Sequence, residues 1–216
     1  MVKLSLPYMK PIVCKTVFDM EYFGRASIIF SDDPCDVNNY LSNNHRCEFY
    51  EDCNRFISIV HYMAFHKAKL ASDDKMAELI LKTDCLDSVN RFSECIIKHD
   101  EIKWQRLRYS VLWNGLLLKF TQNARLKYRL ALTGRTRLIY ANEKDSFYGN
   151  GTSSDLKIEN QRCWRGCNIL GYVLMDVREA IIDNLTKEKT WLSIISELAA
   201  SCKSCKFEDI LACVRK

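Results

Sequence analysis

The apolar positions divide the chain into an extended first part and a helical remainder. Short apolar runs at Ile12-Val13 and at 26–30 are typical of strands, and the second is predicted to be buried. Residues 31–39 are rich in Asp, Asn and Pro and therefore predict a turn. A short extended pair over about 47–57 follows.

From Ser58 onward, apolar residues recur at intervals of three and four, which predicts helices. Ser58 should cap a helix that ends near Ala71, and residues 72–74 should cap a second one carrying Met76, Leu79 and Ile80. A third helix should begin at Asp87 or Ser88. The longest helix should span about 102–121, and its second half is apolar on nearly all sides, which indicates a central position.

The remaining pattern adds a short helix at 124–132, a strand at 138–140, a glycine-punctuated loop at 142–167, a helix at 168–184 and one or two amphipathic helices in 186–216. The sequence therefore predicts a single, mainly helical α+β domain with a small β-sheet.

Composition agrees with a globular protein, since 48% of the 216 residues are hydrophobic and 27% are charged. The net charge of +5 is well dispersed, and its densest part is 125–137. That stretch fits a solvated helix end or a phosphate contact. A nucleic-acid partner is not expected, because such binders concentrate their basic residues.

No apolar run is long enough to span a membrane, and the first ten residues do not resemble a signal peptide. The eleven cysteines are odd in number and irregular in spacing, which favours reduced thiols and a cytoplasmic protein. Cys202-x-x-Cys205 is one CxxC pair without a second, so neither a metal site nor a cofactor is expected.

Three stretches, in order, resemble the NADAR (YbiA-like) family. The first is Tyr62-Met63-x-x-His66-Lys67-Ala68. The second is Trp104-x-x-x-Arg108-Tyr109, which continues to Lys119-Phe120-x-Gln122-Asn123. The third is Asp145-x-x-Tyr148-Gly149-x-Gly151, followed by Trp164-Arg165-Gly166-x-Asn168-x-Leu170-Gly171-x-x-Leu174-Met175-x-x-Arg178.

This resemblance covers about 28–185 and predicts a YbiA-like domain over that range. Residues 1–27 should form an N-terminal extension packed on the domain, and 186–216 a helical C-terminal extension that offers a surface for a protein partner. Family members cleave N-glycosidic bonds, of ribosylamino riboflavin precursors or of ADP-ribosylated guanine. The resemblance therefore implies a small-molecule ligand of the ADP-ribose or ribosyl-nucleotide type.

Leu41-Ser42-Asn43 lies where the family has its Ser-Asn-Phe loop, named the Ser-Asn loop below. Counting without gaps from this loop to Tyr62-Met63 puts Val60 in the place of the glutamate that the family has at the start of its first long helix. Cleavage of a C–N glycosidic bond builds positive charge on the sugar, and valine cannot stabilise it. The candidate catalytic residues that remain are Asp145, at the family's second acidic position, and Trp104, which matches an active-site tryptophan and could stack on a base or ribose. Asp145 could also only shape its turn, and Trp104 could belong to the core.

The resemblance and the local chemistry indicate ligand contacts in the Ser-Asn loop, on the first long helix and in the glycine-rich loops. Other acids near these motifs (Glu48, Glu51, Asp52 and Glu143) are expected on the surface. The candidate ligand-binding residues are Ser42, Asn43, His61, His66, Lys67, Arg91, Tyr148, Gly149, Gly151 and Trp164.

Three functions remain open from the sequence. The first is a NADAR-like domain that binds an ADP-ribose-type or ribosyl-nucleotide ligand but is catalytically impaired. The second is an active N-glycosidase that uses Asp145. The third is an interaction or nucleic-acid-binding scaffold, supported by the basic 125–137 stretch and by Trp191 in the helical tail.

Overall fold

A computed structural model describes residues 26–96, 101–152 and 161–187. The six helices of this part are α1 (Ile59–Leu70), α2 (Asp74–Leu81), α3 (Leu86–Glu94), α4 (Glu101–Gln122), α5 (Ala124–Leu132) and α6 (Ile169–Lys187). The strands are β1 (Ser27–Phe30), β2 (Phe49–Glu51), β3 (Asn54–Phe56) and β4 (Arg137–Tyr140).

The strands form two separate pairs. β1 and β4 are parallel, with Ser27 opposite Arg137 and Phe30 opposite Tyr140, although more than a hundred residues separate them along the chain. β2 and β3 form an antiparallel hairpin. The predicted small sheet is therefore present as two two-stranded sheets in the described part of the chain.

Helix α4 lies at the centre, in contact with α1, α5 and α6. Its closest approach to α1 is at Gly115, where a Cβ, if one were present, would stand 2.7 Å from Cδ1 of Tyr62. Only glycine allows the two helices to pack at this distance. Leu112, Leu116 and Phe120 of α4 are fully buried, which confirms the central position predicted for this helix.

Lys119, near the end of α4, anchors the loop that contains Tyr40 and Ser42. Its side chain is fully buried, and Nζ donates hydrogen bonds to the backbone oxygens of Tyr40, 2.8 Å away, and Ser42, 3.0 Å away. Burial lowers the pKa of Lys119 to about 7, because the low-dielectric interior disfavours the charged form.

The predicted fold class is confirmed, and the helices begin and end close to the expected residues. Helix α3 starts at Leu86, ahead of the predicted Asp87 or Ser88. Among the described helices none is both long and apolar enough to cross a membrane. The predicted extensions 1–27 and 186–216 lie almost entirely outside the described residues, as does the Cys202–Cys205 pair. All seven described cysteines are free thiols.

Candidate functional site

The start of α1 is built on the Ser42–Asn43 loop. Ser58 caps the helix by accepting a hydrogen bond from the backbone N–H of His61, as predicted. One residue into the helix, the N–H of Val60 donates to the backbone oxygen of Asn43 at 3.2 Å. Position 60 therefore lies against the Ser-Asn loop, with a half-buried valine side chain.

A carboxylate that no motif indicated lies next to this loop. Asp32, in the turn after β1, accepts hydrogen bonds from the buried Ser42 hydroxyl and, at 2.5 Å, from the Tyr140 hydroxyl at the end of β4. Asn142 donates to the Tyr140 oxygen at 2.9 Å. Burial and the bond to Asp32 raise the pKa of Tyr140, so the phenol stays a donor to the carboxylate. β1 and β4 thus bring together residues that are more than a hundred positions apart.

Asp145 stabilises the turn at residues 145–148, in the loop after β4. Its Oδ1 accepts from the backbone N–H groups of Phe147, at 3.0 Å, and Tyr148, at 2.8 Å. This is the turn-shaping role that Asp commonly has in loops. The charge of Asp145 also contributes to the raised pKa of Tyr148, which is mainly due to burial, and to that of Tyr140. Asp145 therefore lies near both tyrosines, and its predicted catalytic role stays a prediction.

Helix α4 presents an arginine to the same loop. The Arg108 guanidinium carbon is 3.3 Å from the centroid of the Phe147 ring, and its charge opposes the rise in the pKa of Tyr148. Trp104 is four residues earlier and so on the same side of the helix, half-buried against the core. Gly115, seven residues after Arg108, faces α1 from this side too. One face of α4 thus connects α1 with the Asp145 loop.

The predicted site glycines are explained by contacts within the protein. A Cβ on Gly149 would stand 2.7 Å from the backbone oxygen of Asp145, and one on Gly151 would stand 2.7 Å from the backbone nitrogen of Gly166. Gly151 also has a φ of +68°, which favours glycine. These residues let two loop segments pack backbone to backbone; a direct ligand contact of Gly149 or Gly151 stays a prediction.

The two candidate histidines lie in different surroundings on α1. His61 is buried: its Nδ1 accepts from the N–H of Ile57, and its Nε2 is 2.7 Å from the backbone oxygen of Ile80. Burial lowers the pKa of His61, and one accepting and one donating nitrogen is the pattern of a neutral ring. Both nitrogens are therefore used within the fold.

His66 belongs to a second cluster, with Glu51 and Tyr62. The Tyr62 hydroxyl donates to Oε1 of Glu51 at 2.6 Å, and Nε2 of His66 is 2.8 Å from Oε2. Burial would raise the pKa of Glu51, but the bonds to His66 and Tyr62 outweigh it and the pKa is lowered. The sequence predicts Glu51 on the surface, but its side chain is only 28% exposed and is bonded to both residues.

The other predicted ligand contacts are spread over separate elements. Lys67 donates to the backbone oxygen of Ser93 in α3 at 3.1 Å. Arg91 is exposed on α3, and Trp164 is buried against Ile139 of β4. The structure therefore brings Ser42 and Asn43 to the start of α1, and Asp145 and Tyr148 to α4. It places Arg91 and Trp164 on other elements.

The basic stretch does not form one charged face. Arg129 stacks on Tyr40, 3.7 Å from the ring centroid, and donates to the backbone oxygen of Val37. Arg137 is buried in β4. This internal use of two arginines disfavours a nucleic-acid surface here. In the described ranges, no group of three His, Cys, Asp or Glu residues could hold a metal ion.

Sequence reasoning missed Asp32 and did not single out Arg108 or Lys119. Asp32 lies in a stretch whose composition predicts only a turn, and its partners Ser42 and Tyr140 come from distant segments. Arg108 and Lys119 are both inside the family-like helix motif, so the resemblance could have indicated them.

Proteins similar to this chain occur in an animal, a virus and bacteria. The chain is 29% identical to the protein irg-1 of Caenorhabditis elegans, over 74% of this chain and 78% of that protein. It is also 29% identical to an N-glycosidase of Acanthamoeba polyphaga mimivirus, over 68% of this chain and 82% of the viral protein. The NMR structure of Escherichia coli YbiA superposes with a TM-score of 0.63 at 25% identity, covering 74% of this chain and 88% of YbiA.

The NADAR domain matches residues 29–182, which include β1, the Ser-Asn loop, α1, α4 and the Asp145 loop. This chain belongs to the NADAR domain family.

Proposed function

We propose that this NADAR domain binds a ribosyl ligand of the ADP-ribose or ribosyl-nucleotide type and cleaves its N-glycosidic bond poorly or not at all. The observation that carries the proposal is Val60. The resemblance places the family's glutamate at this position. The N–H of Val60 donates to the backbone oxygen of Asn43, which supports the proposal because it puts position 60 next to the Ser-Asn loop.

The chemistry explains why this replacement matters. A positioned carboxylate stabilises the developing charge on the sugar or takes a proton from the attacking water. Each such role typically contributes a rate factor of roughly 10² to 10⁴. A half-buried valine supplies neither, while it leaves the surrounding loop and helix intact.

Phosphate recognition is supported by Arg108. Its guanidinium is stacked on Phe147, and within the described residues its buried Nε has no hydrogen-bond partner. A buried donor without an acceptor is costly, and a phosphate oxygen would relieve that cost. Trp104 lies one turn away on the same side of α4 and offers an aromatic surface to a base.

An active N-glycosidase that uses Asp145 is the second candidate. It is favoured by the position of Asp145 near Tyr140 and Tyr148, two phenols held in their neutral, donating form. Against it, one oxygen of Asp145 already accepts two backbone hydrogen bonds that shape the turn.

The test compares the natural chain with Val60→Glu and Val60→Gln. ADP-ribose binding is measured by calorimetry, and release of the base or amine from ADP-ribosylated guanosine and from a ribosylamino pyrimidine by chromatography. We expect the natural chain to bind ADP-ribose without appreciable cleavage, and Val60→Glu to gain cleavage by at least about tenfold, because a single acid-base group contributes that much or more.

Val60→Gln is the matched control, since it has nearly the shape of glutamate without its charge, and it should gain nothing. Rapid cleavage by the natural chain that disappears in Asp145→Asn would contradict the proposal and establish the second candidate. Absence of binding to both ADP-ribose and ribose 5-phosphate, together with no cleavage of either substrate, would remove both.

A further inference from the structure

We infer that Asp32 and Asn43 form a recognition site for the hydroxyl groups of the ribosyl ligand, with Asp32 as the carboxylate that contacts the sugar. This inference rests on the proposed function, because it names residues for the same site. It begins with the environment of Asp32, a half-buried acid in a turn that the motifs of the chain do not include.

The carboxylate of Asp32 is fixed from both sides. The Ser42 hydroxyl donates to one oxygen and the Tyr140 hydroxyl donates to the other. Neither donor carries a charge, so these bonds orient the carboxylate without neutralising it. Each carboxylate oxygen has two lone pairs, and one donor apiece leaves further accepting capacity on the half-exposed group.

Asn43 supplies an independent sign that a donor belongs here. The residue is only 7% exposed, and in the described part of the chain no group donates to its buried Oδ1. Unsatisfied buried acceptors are rare in folded proteins, and a specific one calls for an explanation such as a bound ligand. Asn43 directly follows Ser42, whose hydroxyl holds Asp32, and its backbone oxygen contacts Val60.

The Asp32 carboxylate and Asn43 Oδ1 are both hydrogen-bond acceptors, so the ligand atoms that they bind must be donors. Both groups suit O–H donors and repel phosphate oxygens. A divalent calcium or magnesium ion would need about six oxygen ligands. The described residues contain no group of three acidic or His and Cys side chains that could hold one. The vicinal hydroxyls of ribose are donors of the kind that two acceptors, linked through Ser42, would bind.

The opposite polarity is found at Arg108, a cation whose Nε lacks a hydrogen-bond partner in the described ranges. The acceptors at the Ser42–Asn43 loop have the polarity that sugar hydroxyls need, and the donor on α4 has the polarity that a phosphate needs. We therefore assign the hydroxyls of a ribose phosphate to the loop and its phosphate to the arginine. The bond to be cleaved would then lie beside position 60, where the acid is missing.

The experiment measures binding of ADP-ribose and of ribose 5-phosphate to the full chain by calorimetry. We expect Asp32→Asn to weaken both by about tenfold or more, since a hydrogen bond to a charged acceptor has this effect. Asp36→Asn is the matched control. Asp36 lies in the same turn, and its carboxylate accepts hydrogen bonds from Ser31 and Asn38 of that turn. The affinity of the Asp36→Asn variant should therefore change less than about twofold.

A second ligand separates a sugar contact from a structural effect. For 2-deoxyribose 5-phosphate, which lacks one hydroxyl, Asp32→Asn should cause a smaller loss than for ribose 5-phosphate. Asn43→Ala gives a test that does not disturb Asp32, because it removes an oxygen without a donor and should still weaken ribose 5-phosphate binding several-fold.

The outcomes distinguish the two proposals. If the natural chain binds neither ADP-ribose nor ribose 5-phosphate, the proposed function fails. If it binds both and neither Asp32→Asn nor Asn43→Ala changes the affinity, the proposed function stands and the inference is overturned. Equal losses for the ribose and deoxyribose compounds, or competition by calcium alone, would also overturn it.

Discussion

Glu51 and Asp32 each accept a hydrogen bond from a tyrosine hydroxyl, yet they lie beside different parts of helix α1. Glu51 reaches the helix at Tyr62 and His66. With about 100° per residue, those positions lie roughly 160° and 120° around the axis from Val60. Asp32 is instead bonded to Ser42, next to the Asn43 oxygen that accepts from the Val60 N–H.

A well-bonded carboxylate is therefore not by itself a functional one. Glu51 joins the β2–β3 hairpin to α1 through its hydrogen bonds to Tyr62 and His66. Asp32 is bonded as firmly, but the residue after its partner Ser42 carries a buried acceptor without a donor among the described residues. Two features distinguish Asp32, the candidate ligand contact, from Glu51, the structural acid. Asp32 is linked through Ser42 to the loop beside Val60, and that loop carries the unsatisfied Asn43 Oδ1.

The largest effect on stability is expected for Lys119→Met, which disturbs the loop beside Asp32. The substitution leaves the backbone oxygens of Tyr40 and Ser42 without their buried donor. At pH 9 it should lower the free energy of unfolding by about 2–4 kcal/mol, since each unsatisfied buried acceptor costs about 1–3 kcal/mol. Ligand affinity should fall as well, because the loop that carries Ser42 is loosened.

The stability difference between the natural chain and Lys119→Met should depend on pH. The pKa of Lys119 is about 7 in the folded chain and near 10.5 when the chain is unfolded. The unfolded state therefore gains a proton first as the pH falls from 10.5 to 7, and the natural chain loses stability over that range. The methionine variant lacks this contribution, so the difference between the two should shrink from pH 9 to pH 7. Urea unfolding at both values measures it, with Lys75→Met, an exposed position, as control.

Much of the fold could be predicted from the sequence because it depends on local signals. Ser58, the apolar spacing of 102–121 and the glycines after 148 act over a few residues, and the helices appear where these signals place them. The pairing of β1 with β4 has no such signal. It joins segments more than a hundred residues apart, and it is this pairing that carries Asp32 to Tyr140.

The candidate site shows the same limit. Val60 could be placed by counting along the chain from the Ser-Asn loop, which needs the sequence alone. The partners of Glu51, by contrast, depend on how a hairpin folds against a helix, and composition alone assigns such an acid to the surface.

A smaller effect on stability is expected for Glu51→Gln, which tests whether Glu51 has only a structural role. The variant keeps a hydrogen-bonding side chain but loses the charge next to His66 and Tyr62. Unfolding at pH 7 should become easier by about 1–2 kcal/mol, the usual value of a charged hydrogen bond. ADP-ribose affinity should not change, and a tenfold loss would show that Glu51 belongs to the ligand site.

The stability difference between these two chains also depends on pH. The pKa of Glu51 is lowered in the folded chain, so its stabilising effect is complete above the unfolded value near 4.5 and is lost as the pH falls through the folded value. The natural chain and Glu51→Gln should therefore converge in stability as the pH falls below the unfolded value near 4.5, as acid titration followed by circular dichroism would show.

The smallest effect is expected for Tyr140→Phe, which removes one of the two donors to Asp32 while the ring stays stacked on Phe30. Stability should fall by about 1 kcal/mol and ADP-ribose affinity by about two- to fivefold, because Ser42 still orients the carboxylate. Tyr109→Phe is a matched control, since its hydroxyl also donates to an aspartate, Asp176, at 2.7 Å between α4 and α6. A similar loss of stability with unchanged affinity in Tyr109→Phe, against a loss of both in Tyr140→Phe, would tie the orientation of Asp32 to ligand binding. Equal affinities in the two variants would mean that the Tyr140–Asp32 bond, like the Tyr62–Glu51 bond, only holds the fold together.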